Sequence, residues 1–315
     1  MRQEPTKLGA TYLGDFTRFR VWSPAAQTVN VTIDDGREIR MDVDCDGFWQ
    51  ADVRAVSPGT LYSYHVDARG PFPDPASRFQ PQGVHGPSAV IDPDAYIWTE
   101  GEWTGIALDE TVIYELHIGT FTPEGTFAAA AAKLSQLAEL GITAVELMPV
   151  ADFPGNRNWG YDGVCLFSPA RCYGTPDQMR DFVNRAHQLK LAVFLDVVYN
   201  HFGPDGAYHG IFSQHYYSKA HRSPWGDGLN FDGPLSGPVR EFFAENAVRW
   251  LHEYRLDGLR LDATHAIVDE SPVHFLAFLT QAVRNAFAGE GRTIHLIAED
   301  HRNLARMVKP GPGWE

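Results

Sequence analysis

The stretch LAVFLDVVYNH, residues 191–201, decides the fold class of this 315-residue chain. It is apolar throughout its first nine residues except at Asp196, a composition typical of a strand that is buried on both faces of a parallel sheet. The segment before it opens at Thr175 with Thr, Pro, Asp and Gln, the order of an N-cap, an N1 proline and a capping box, and it predicts a helix to about Lys190. A helix that leads into a buried strand indicates an α/β fold.

Alternating strand and helix patterns extend to both sides of this stretch from about Leu108. Strands are predicted at 112–118, 144–150, 191–199, 258–264 and 294–298. Helices are predicted at 127–140, 175–190, 238–254 and 272–288, with a long loop at 202–237. No G-x-G-x-x-G motif follows the first strand, and polar residues instead cluster at the carboxyl ends of several strands. Because barrel enzymes build their sites at those ends, we predict a (β/α)8 TIM barrel rather than a doubly wound sheet.

The first hundred residues have a different pattern. Short alternating segments, such as 18–22, 29–33 and 61–66, are separated by turn residues, which predicts a small antiparallel Ig-like β-sandwich. The chain then becomes rich in Pro, Gly and Asp, which indicates an irregular connector. We therefore predict a β-sandwich with its connector at residues 1–98 and the N-terminal part of a catalytic barrel at residues 99–315.

Composition narrows the classes of partner. Lys and Arg total 26 and Asp and Glu total 40, so the formal net charge is −14, which disfavours nucleic acid and anionic membranes as partners. The three cysteines, Cys45, Cys165 and Cys172, do not form a disulfide framework or a metal-ligand set, and we predict no cofactor and no metal. The N-terminus MRQEPTKLGA has no apolar signal core, and no run approaches the roughly 20 apolar residues of a membrane span, which predicts a cytoplasmic protein.

Charged residues lie in or directly after two of the predicted strands. In GLRLDATH, residues 258–265, the period of two places Arg260 and Asp262 on one face of the strand. Glu299 follows the last predicted strand, within IAED at residues 297–300. A buried ion pair explains Arg260 and Asp262 as well as a catalytic role does, and Glu299 alone fits a helix cap or a solvated edge. Their convergence at one barrel mouth favours a shared catalytic role.

Glycoside hydrolysis requires two such carboxylates. One attacks the anomeric carbon, while the other protonates the leaving oxygen and later activates water. Arg260 beside Asp262 is predicted to lower the pKa of this carboxyl group and to keep it ionised. Retention predicts that the carboxyl groups of Asp262 and Glu299 lie about 5–5.5 Å apart. Pyranose rings present CH groups to aromatic faces, and Trp159 and Tyr161 supply two such rings.

Three motifs carry a resemblance to a known family. DVVYNH at 196–201, GLRLDATH at 258–265 and IAED at 297–300 resemble, in order and spacing, three conserved segments of the α-amylase superfamily. The resemblance implies that Asp262 is the nucleophile and Glu299 the general acid/base. The N-terminal sandwich is similar to the β-domain that precedes the barrel in branching, debranching and trehalose-forming members.

The same resemblance connects further residues to the substrate. It implies that Arg260 and His201 position the nucleophile and the sugar ring, and that Tyr161 stacks on the sugar being cleaved. Asp196 is expected to be structural. Other substrate-binding residues are expected at the same barrel mouth, namely Trp159, Thr264, His265 and Asp300. His265 has an open alternative, which is to cap the loop after its strand.

Three longer stretches narrow the resemblance. Residues 74–88, 114–127 and 146–163 are similar to the trehalohydrolase branch of the superfamily. This implies cleavage of the α-1,4 bond next to the terminal trehalosyl unit of maltooligosyltrehalose, with trehalose and maltooligosaccharide as products. A branching transglycosylase that uses the same two carboxylates is the alternative. A catalytically silent glucan-binding module is a third possibility, although such a module has no need of two opposed carboxylates.

The number of predicted strands sets one more expectation. A (β/α)8 barrel needs about 250 residues, whereas about 205 follow the sandwich and supply five strands before the ending GPGWE at 311–315. We therefore expect the remaining half of the barrel, with a third catalytic carboxylate, to be supplied in cis or as a separate piece. Without it, the chain is expected to be inactive or very weak.

Overall fold

The structure of the protein, a computed structural model, describes residues 7–223 and 225–307. The predictions made for the N-terminal residues 1–6 and for the ending at 311–315 lie outside this range. Within residues 7–223 and 225–307, no helix combines the length and the apolar composition that a membrane span requires.

The N-terminal part is an antiparallel β-sandwich, as its alternating segments predict. Its strands are β1 (Gly9–Tyr12), β2 (Phe16–Trp22), β3 (Val29–Ile33), β4 (Glu38–Arg40), β5 (Asp42–Val43), β6 (Phe48–Arg54), β7 (Leu61–Val66), β8 (Arg69–Phe72) and β9 (Ser88–Ala89). One sheet has the order β1-β2-β6-β5, and the other has the order β4-β3-β7-β8 with β9 paired to β7. Inward residues alternate along β3 and β7, so that Val29, Val31, Tyr62 and Tyr64 fill the space between the sheets.

The second part alternates strands and helices. Its strands are β10 (Ile113–Leu116), β11 (Ala144–Leu147), β12 (Ala151–Asp152), β13 (Cys165–Pro169), β14 (Ala192–Val197), β15 (Tyr217–Ser223), β16 (Gly226–Leu229), β17 (Gly258–Leu261) and β18 (His295–Ala298). Its α-helices are α1 (Ile118–Phe121), α2 (Phe127–Ala131), α3 (Leu134–Leu140), α4 (Pro176–Gln188), α5 (His209–Phe212), α6 (Ser236–Glu253) and α7 (Phe275–Ala286). Short 3-10 helices lie at Pro93–Ala95, Leu108–Glu110, Gln214–Tyr216, Thr264–Ala266 and Ala305–Met307.

Strand order distinguishes the two α/β architectures. The central sheet is parallel and runs β10-β11-β14-β17-β18, so that each of its strands pairs with the next one along the chain. A doubly wound sheet reverses direction at a switch point, whereas a barrel sheet does not. The sequential order is therefore that of the TIM-barrel family, as the sequence predicts. The helices cover the outer face, where Val193, Leu195 and Leu259 belong to the large apolar core.

Several boundaries differ from the sequence prediction. The predicted helix at 127–140 is divided into α2 and α3, because Ala132 and Lys133 form a looser turn between them. Gly141 ends α3 in the left-handed conformation with φ 95°, as expected of a C-terminal glycine. The capping box at Thr175 is present as predicted. The predicted loop at 202–237 instead contains α5 and the hairpin β15–β16, so this segment carries its own hydrogen-bonded structure.

Buried polar contacts join the sandwich to the barrel helices. Arg78 of the connector lies 3.1 Å from the Glu253 carboxylate at the end of α6, and both side chains are at most 8% exposed. Arg249 donates to the carbonyl of Leu8 at 2.9 Å, and the Leu8 N–H donates to Glu245 at 2.8 Å. Because the chain entering β1 is bonded to α6 in this way, the two parts pack against each other through buried hydrogen bonds and ion pairs.

Candidate active site

The carboxyl ends of β14, β17 and β18 bring the charged motif residues together. Asp196 and Arg260 are register partners on neighbouring parallel strands, so both face the inner side of the sheet. Backbone pairing continues one residue past the strands, because Asp262 N–H donates to Val197 O and Glu299 N–H donates to Leu261 O, each at 3.0 Å. The period of two then places Asp262 and Glu299 on the same inner side as Arg260.

Arg260 is the common partner of three carboxylates. Its Nη1 lies 2.7 Å from Asp196 and 2.8 Å from Asp262, and its Nη2 lies 3.8 Å from Glu299. Burial alone would lower the pKa of Arg260, but the hydrogen bonds and charges of Asp196 and Asp262 outweigh burial and raise it. The guanidinium is thus a permanent cation that holds both candidate catalytic carboxylates at one place.

Asp262 is held on both of its oxygens. Arg260 contacts Oδ1, and the Asn200 side chain donates to Oδ2 at 3.1 Å and to the Asp262 carbonyl at 3.0 Å. The Asp262 side chain is 16% exposed, so part of its surface remains accessible. An oriented, partly exposed carboxylate of this kind suits a nucleophile. Asn200 was not among the predicted site residues, although its position on the Asp196 face of the motif DVVYNH was the available signal.

Glu299 is held by the backbone of the neighbouring loop. Its Oε2 accepts a hydrogen bond from the Ala263 N–H at 2.7 Å, and its side chain is 42% exposed. Ala263 has φ 45° and ψ 50°, a left-handed conformation in which the chain leaves β17 and enters the short 3-10 helix Thr264–Ala266. The rest of the carboxyl group keeps accessible surface at the carboxyl end of β18.

Thr264 and Asp300 support this loop. Thr264 is fully buried, and its hydroxyl donates to the Glu299 carbonyl at 2.8 Å and lies 3.1 Å from Asp300. The hydroxyl of Thr264 thus bonds within the protein, and a substrate contact of Thr264 remains a prediction. Asp300 accepts from Arg302, which lowers the pKa of Asp300 through hydrogen bonds and charge, so its oxygens are occupied within the protein.

The two histidines of the motifs have different surroundings. The His201 ring is 5% exposed, donates from Nδ1 to the Asn200 side-chain oxygen, and stacks on Trp225 at a centroid distance of 5.7 Å. Burial lowers the pKa of His201, so the ring is neutral near pH 7. The His265 ring lies edge-on to His301 at 4.2 Å, and its Nδ1 is buried without a partner among the described residues. A substrate contact of His265 remains a prediction.

Asp196 lies beneath these groups. It is 1% exposed, and its Oδ2 accepts from Arg260 and from the Tyr161 hydroxyl at 3.2 Å. Burial raises the pKa of Asp196 to about 7, against the opposing effect of Arg260. Asp196 thus fixes both the cation and the aromatic ring expected to stack on sugar, which agrees with the structural role expected for it.

A wide cleft leads away from Tyr161. Its volume is about 680 Å³, and it is lined by residues that include His117, Arg157, Asn158 and Trp159. The Trp159 indole is 79% exposed, which leaves its face open to a ligand. The two aromatic residues predicted from the sequence therefore border one open, polar cleft. No group of three or more His, Cys, Asp or Glu residues within 7–223 and 225–307 has the arrangement of a metal site.

The comparisons with known proteins agree with this geometry. Residues 90–228 match the family model for the α-amylase catalytic domain, and residues 7–93 match carbohydrate-binding module 48, the isoamylase N-terminal domain. The chain belongs to the α-amylase superfamily of glycoside hydrolases, as the three motifs indicate.

Among its relatives is the malto-oligosyltrehalose trehalohydrolase of Deinococcus radiodurans, with 46% identity over 96% of this chain and 49% of the relative. The 1,4-alpha-glucan branching enzyme GlgB of Jannaschia sp. is 34% identical over 83% of this chain and 41% of the relative. A crystal structure of a Salmonella typhimurium protein, provisionally named an alpha amylase, has 44% identity and a TM-score of 0.90, and covers 95% of this chain and 50% of that one. The chain spans about half the length of the curated relatives it matches.

Proposed function

We propose that the full-length product of this gene is a retaining glycoside hydrolase that releases trehalose from maltooligosyltrehalose. The observation that carries the proposal is the Arg260 guanidinium, which contacts both Asp262 and Glu299 at the carboxyl ends of β17 and β18. One group of atoms thereby holds two carboxylates, and Asp196 connects this group to Tyr161, which lines an open cleft together with Trp159. The name of the Deinococcus radiodurans relative supports the choice of substrate.

The proposed first step breaks the glycosidic bond. Glu299 donates its proton to the leaving oxygen, while Asp262 forms a covalent bond with the anomeric carbon. Trehalose departs with the proton, and the glucan remains attached to Asp262. Arg260 and Asn200 hold the Asp262 carboxylate in one orientation, which reduces the reorganisation needed for attack.

The proposed second step restores the enzyme. Glu299, now ionised, takes a proton from a water molecule, and the resulting hydroxide attacks the anomeric carbon to displace Asp262. The products are the shortened maltooligosaccharide and the free carboxylate of Asp262, with Glu299 protonated again. The Ala263 N–H fixes one oxygen of Glu299 through both steps, which leaves the other oxygen to transfer the proton.

A branching transglycosylase is the second candidate. Its supporting observation is the 34% identity to a relative named 1,4-alpha-glucan branching enzyme. In that case a glucan hydroxyl, rather than water, would displace Asp262. The same two carboxylates serve both reactions, so products decide between them.

Product analysis tests the proposal. The full-length protein is incubated with maltooligosyltrehalose, maltooligosaccharide and amylose side by side, and the products are separated by chromatography. Trehalose from the first substrate with little attack on the others supports the trehalohydrolase, whereas new branch points support the transglycosylase. Glucan affinity that is unchanged in Asp262→Asn and Glu299→Gln, without turnover of any substrate by the unaltered protein, would instead identify a silent binding module.

We also propose a cytoplasmic location. Its support is that Cys45, Cys165 and Cys172 are free thiols, as is usual in a reducing compartment. Fractionation of the producing cells with antibody detection tests this, and recovery from the medium or cell envelope would contradict it.

A further inference from the structure

We propose that the β-sandwich positions the active site, with Phe212 and Ser23 as the residues that connect it to the segment carrying His201. The test by kcat for trehalose release rests on the proposed function, whereas the test by hydrogen exchange does not. The segment concerned, residues 200–217, leaves the end of β14, passes through α5 and enters the hairpin β15–β16.

The Phe212 side chain lies in the hydrophobic core of the sandwich, not in the core of the barrel. It is 2% exposed and packs with the residues that fill the space between the two sandwich sheets. The Tyr64 ring of β7 meets it edge-on at 5.9 Å. The Ser23 hydroxyl donates to the Phe212 carbonyl at 2.7 Å, and the Trp49 indole N–H donates to the Ser23 carbonyl at 2.9 Å. The sandwich therefore holds both the side chain and the main chain of this residue.

Two more contacts hold the same segment on either side of Phe212. Tyr216 packs edge-on against Trp22 at 5.4 Å, and Trp22 is 1% exposed. Tyr208 packs against Phe72 at 5.7 Å, and its hydroxyl lies 2.8 Å from His85 Nδ1. Residues 208–216 thus have three attachment points on the sandwich and its connector.

The attached segment reaches the catalytic residues through ring contacts with Phe202, which packs edge-on against Tyr216 at 6.4 Å. His209 of α5 stacks on Phe202 at a centroid distance of 3.8 Å and an interplanar angle of 16°. Phe202 directly follows His201, whose ring contacts the Asn200 side chain, and Asn200 holds Asp262. Burial lowers the pKa of His209 to about 3, so its ring remains a neutral packing group at working pH. A displacement of α5 would therefore move the groups that orient the nucleophile.

The aromatic residues of the sandwich fit this role better than sugar binding. Binding of a pyranose ring requires an accessible aromatic face. Trp22, Trp49, Tyr62 and Tyr64 are at most 4% exposed, because they fill the sandwich core or its contact with residues 208–216. These rings are used to attach the barrel segment, although the family model that matches this part is named for carbohydrate binding.

Phe212→Ala, Phe212→Leu and Ser23→Ala in the full-length protein test the proposal, with Phe19→Ala as the matched control. Phe19 is equally buried in the sandwich core, but its ring contact is with Tyr62 and not with residues 208–216. We expect Phe212→Ala to lower kcat for trehalose release at least about tenfold, because small displacements of positioned groups are costly. KM should change less than about threefold, and Phe212→Leu should restore most of kcat. Phe19→Ala should lower the melting temperature while leaving kcat within about twofold.

Hydrogen exchange followed by mass spectrometry gives the measurement that does not depend on turnover. Peptides covering residues 200–217 should exchange faster in Phe212→Ala and, to a smaller extent, in Ser23→Ala, whereas the Phe19→Ala control should leave them unchanged. If the unaltered protein releases no trehalose, the proposed function is wrong, and the hydrogen exchange of residues 200–217 alone tests the positioning role of Phe212 and Ser23. If Phe212→Ala does not fold, Phe212→Leu and Ser23→Ala are compared with Phe19→Leu. Equal kcat and equal exchange in the Phe212 and Phe19 variants would overturn the positioning role.

Discussion

The backbone N–H of Ala263 donates a 2.7 Å hydrogen bond to the Glu299 carboxylate from a left-handed conformation with φ 45°. The donor lies between Asp262 and Thr264, so the loop that follows the candidate nucleophile also fixes the candidate acid/base. The left-handed conformation costs a residue with a side chain about 1–2 kcal/mol. Its position between the two carboxylates indicates that this strained residue serves the geometry of the site.

Replacements of Ala263 should show that activity depends on its left-handed backbone conformation and not on its methyl group. We expect Ala263→Gly to keep kcat within about twofold, because glycine adopts this conformation without steric cost. Ala263→Val should lower kcat at least about tenfold and reduce the free energy of unfolding by about 1–3 kcal/mol, because a β-branched residue is poorly accommodated there. Steady-state kinetics and chemical unfolding measure both effects, with Ala266→Val as the control in the same loop. Full activity of Ala263→Val would contradict this account.

Replacement of Asp262 and replacement of Glu299 should have different kinetic effects. We expect Asp262→Asn to lower kcat by at least about 10³ with any substrate, because the covalent step is lost. In its first step, Glu299→Gln should be comparably slow with maltooligosyltrehalose but much less impaired with an α-glucosyl fluoride, whose leaving group needs no protonation. A burst of fluoride release, followed by slow turnover because the base of the second step is also lost, measures this difference and reports the covalent intermediate. A first step that is equally slow with both substrates would argue against the role of Glu299 as the acid.

Arg260 should not be replaceable by lysine. Arg260 contacts Asp196 and Asp262 through Nη1 and reaches toward Glu299 with Nη2, whereas lysine has a single nitrogen. Arg260→Lys is therefore expected to lower kcat by about 10- to 100-fold. The surface pair of Arg18 and Asp52 gives the control, and Arg18→Lys should change neither kcat nor stability appreciably. The result that contradicts this expectation is an Arg260→Lys variant with unaltered kinetics.

Asp74 of the connector should make stability depend on pH. Burial raises the pKa of Asp74 to about 6, against hydrogen bonds from Tyr62 and the Ala76 N–H. Because the folded state then binds the proton more tightly than the unfolded state, this contribution to stability is present below about pH 4 and is lost as pH rises to about 6. The loss amounts to about 3 kcal/mol for a shift of this size.

Unfolding by urea at pH 4.5 and 7.5 measures this dependence. Asp74→Asn is expected to lose less stability between these pH values than the unaltered protein, since its side chain does not titrate. Asp44 is the control. Burial acts to raise the pKa of Asp44, but hydrogen bonds from the Phe48 and Asp46 N–H groups and from Arg20 outweigh burial and lower it, so Asp44 is ionised in the folded state throughout this range. Asp44→Asn should therefore leave the pH slope unchanged, and an unchanged slope in Asp74→Asn would reject the assignment.

The sequence predicts those features that depend on local periodicity. The inward positions of Asp196, Arg260 and Asp262 follow from the alternation of a strand, and the start of α4 follows from the capping residues at Thr175. The superfamily follows from the same short motifs, and the sequential order of the central strands confirms the barrel over the doubly wound sheet. The 5–5.5 Å separation of the two carboxyl groups remains a prediction.

Long-range and backbone features could not be predicted in this way. Phe212 belongs to an apolar segment, and periodicity does not tell which of two cores such a residue joins. The contact between Ser23 and Phe212 spans 189 residues of sequence, and the stack of Trp225 on His201 depends on a hairpin that closes over the site. The left-handed Ala263 was also missed, because alanine has no intrinsic preference for that conformation and adopts it only under tertiary constraint.

The packing of Phe212 also has a consequence for biosynthesis. Among the buried residues of the sandwich core, Val90 is the one that precedes Phe212 in the sequence, and the two lie 122 positions apart (212 − 90). On the ribosome, the sandwich is made first but lacks one of its core side chains until α5 has emerged. The N-terminal part therefore cannot reach its final packing as an early, independent folding unit, and its maturation waits for translation of the first half of the barrel segment.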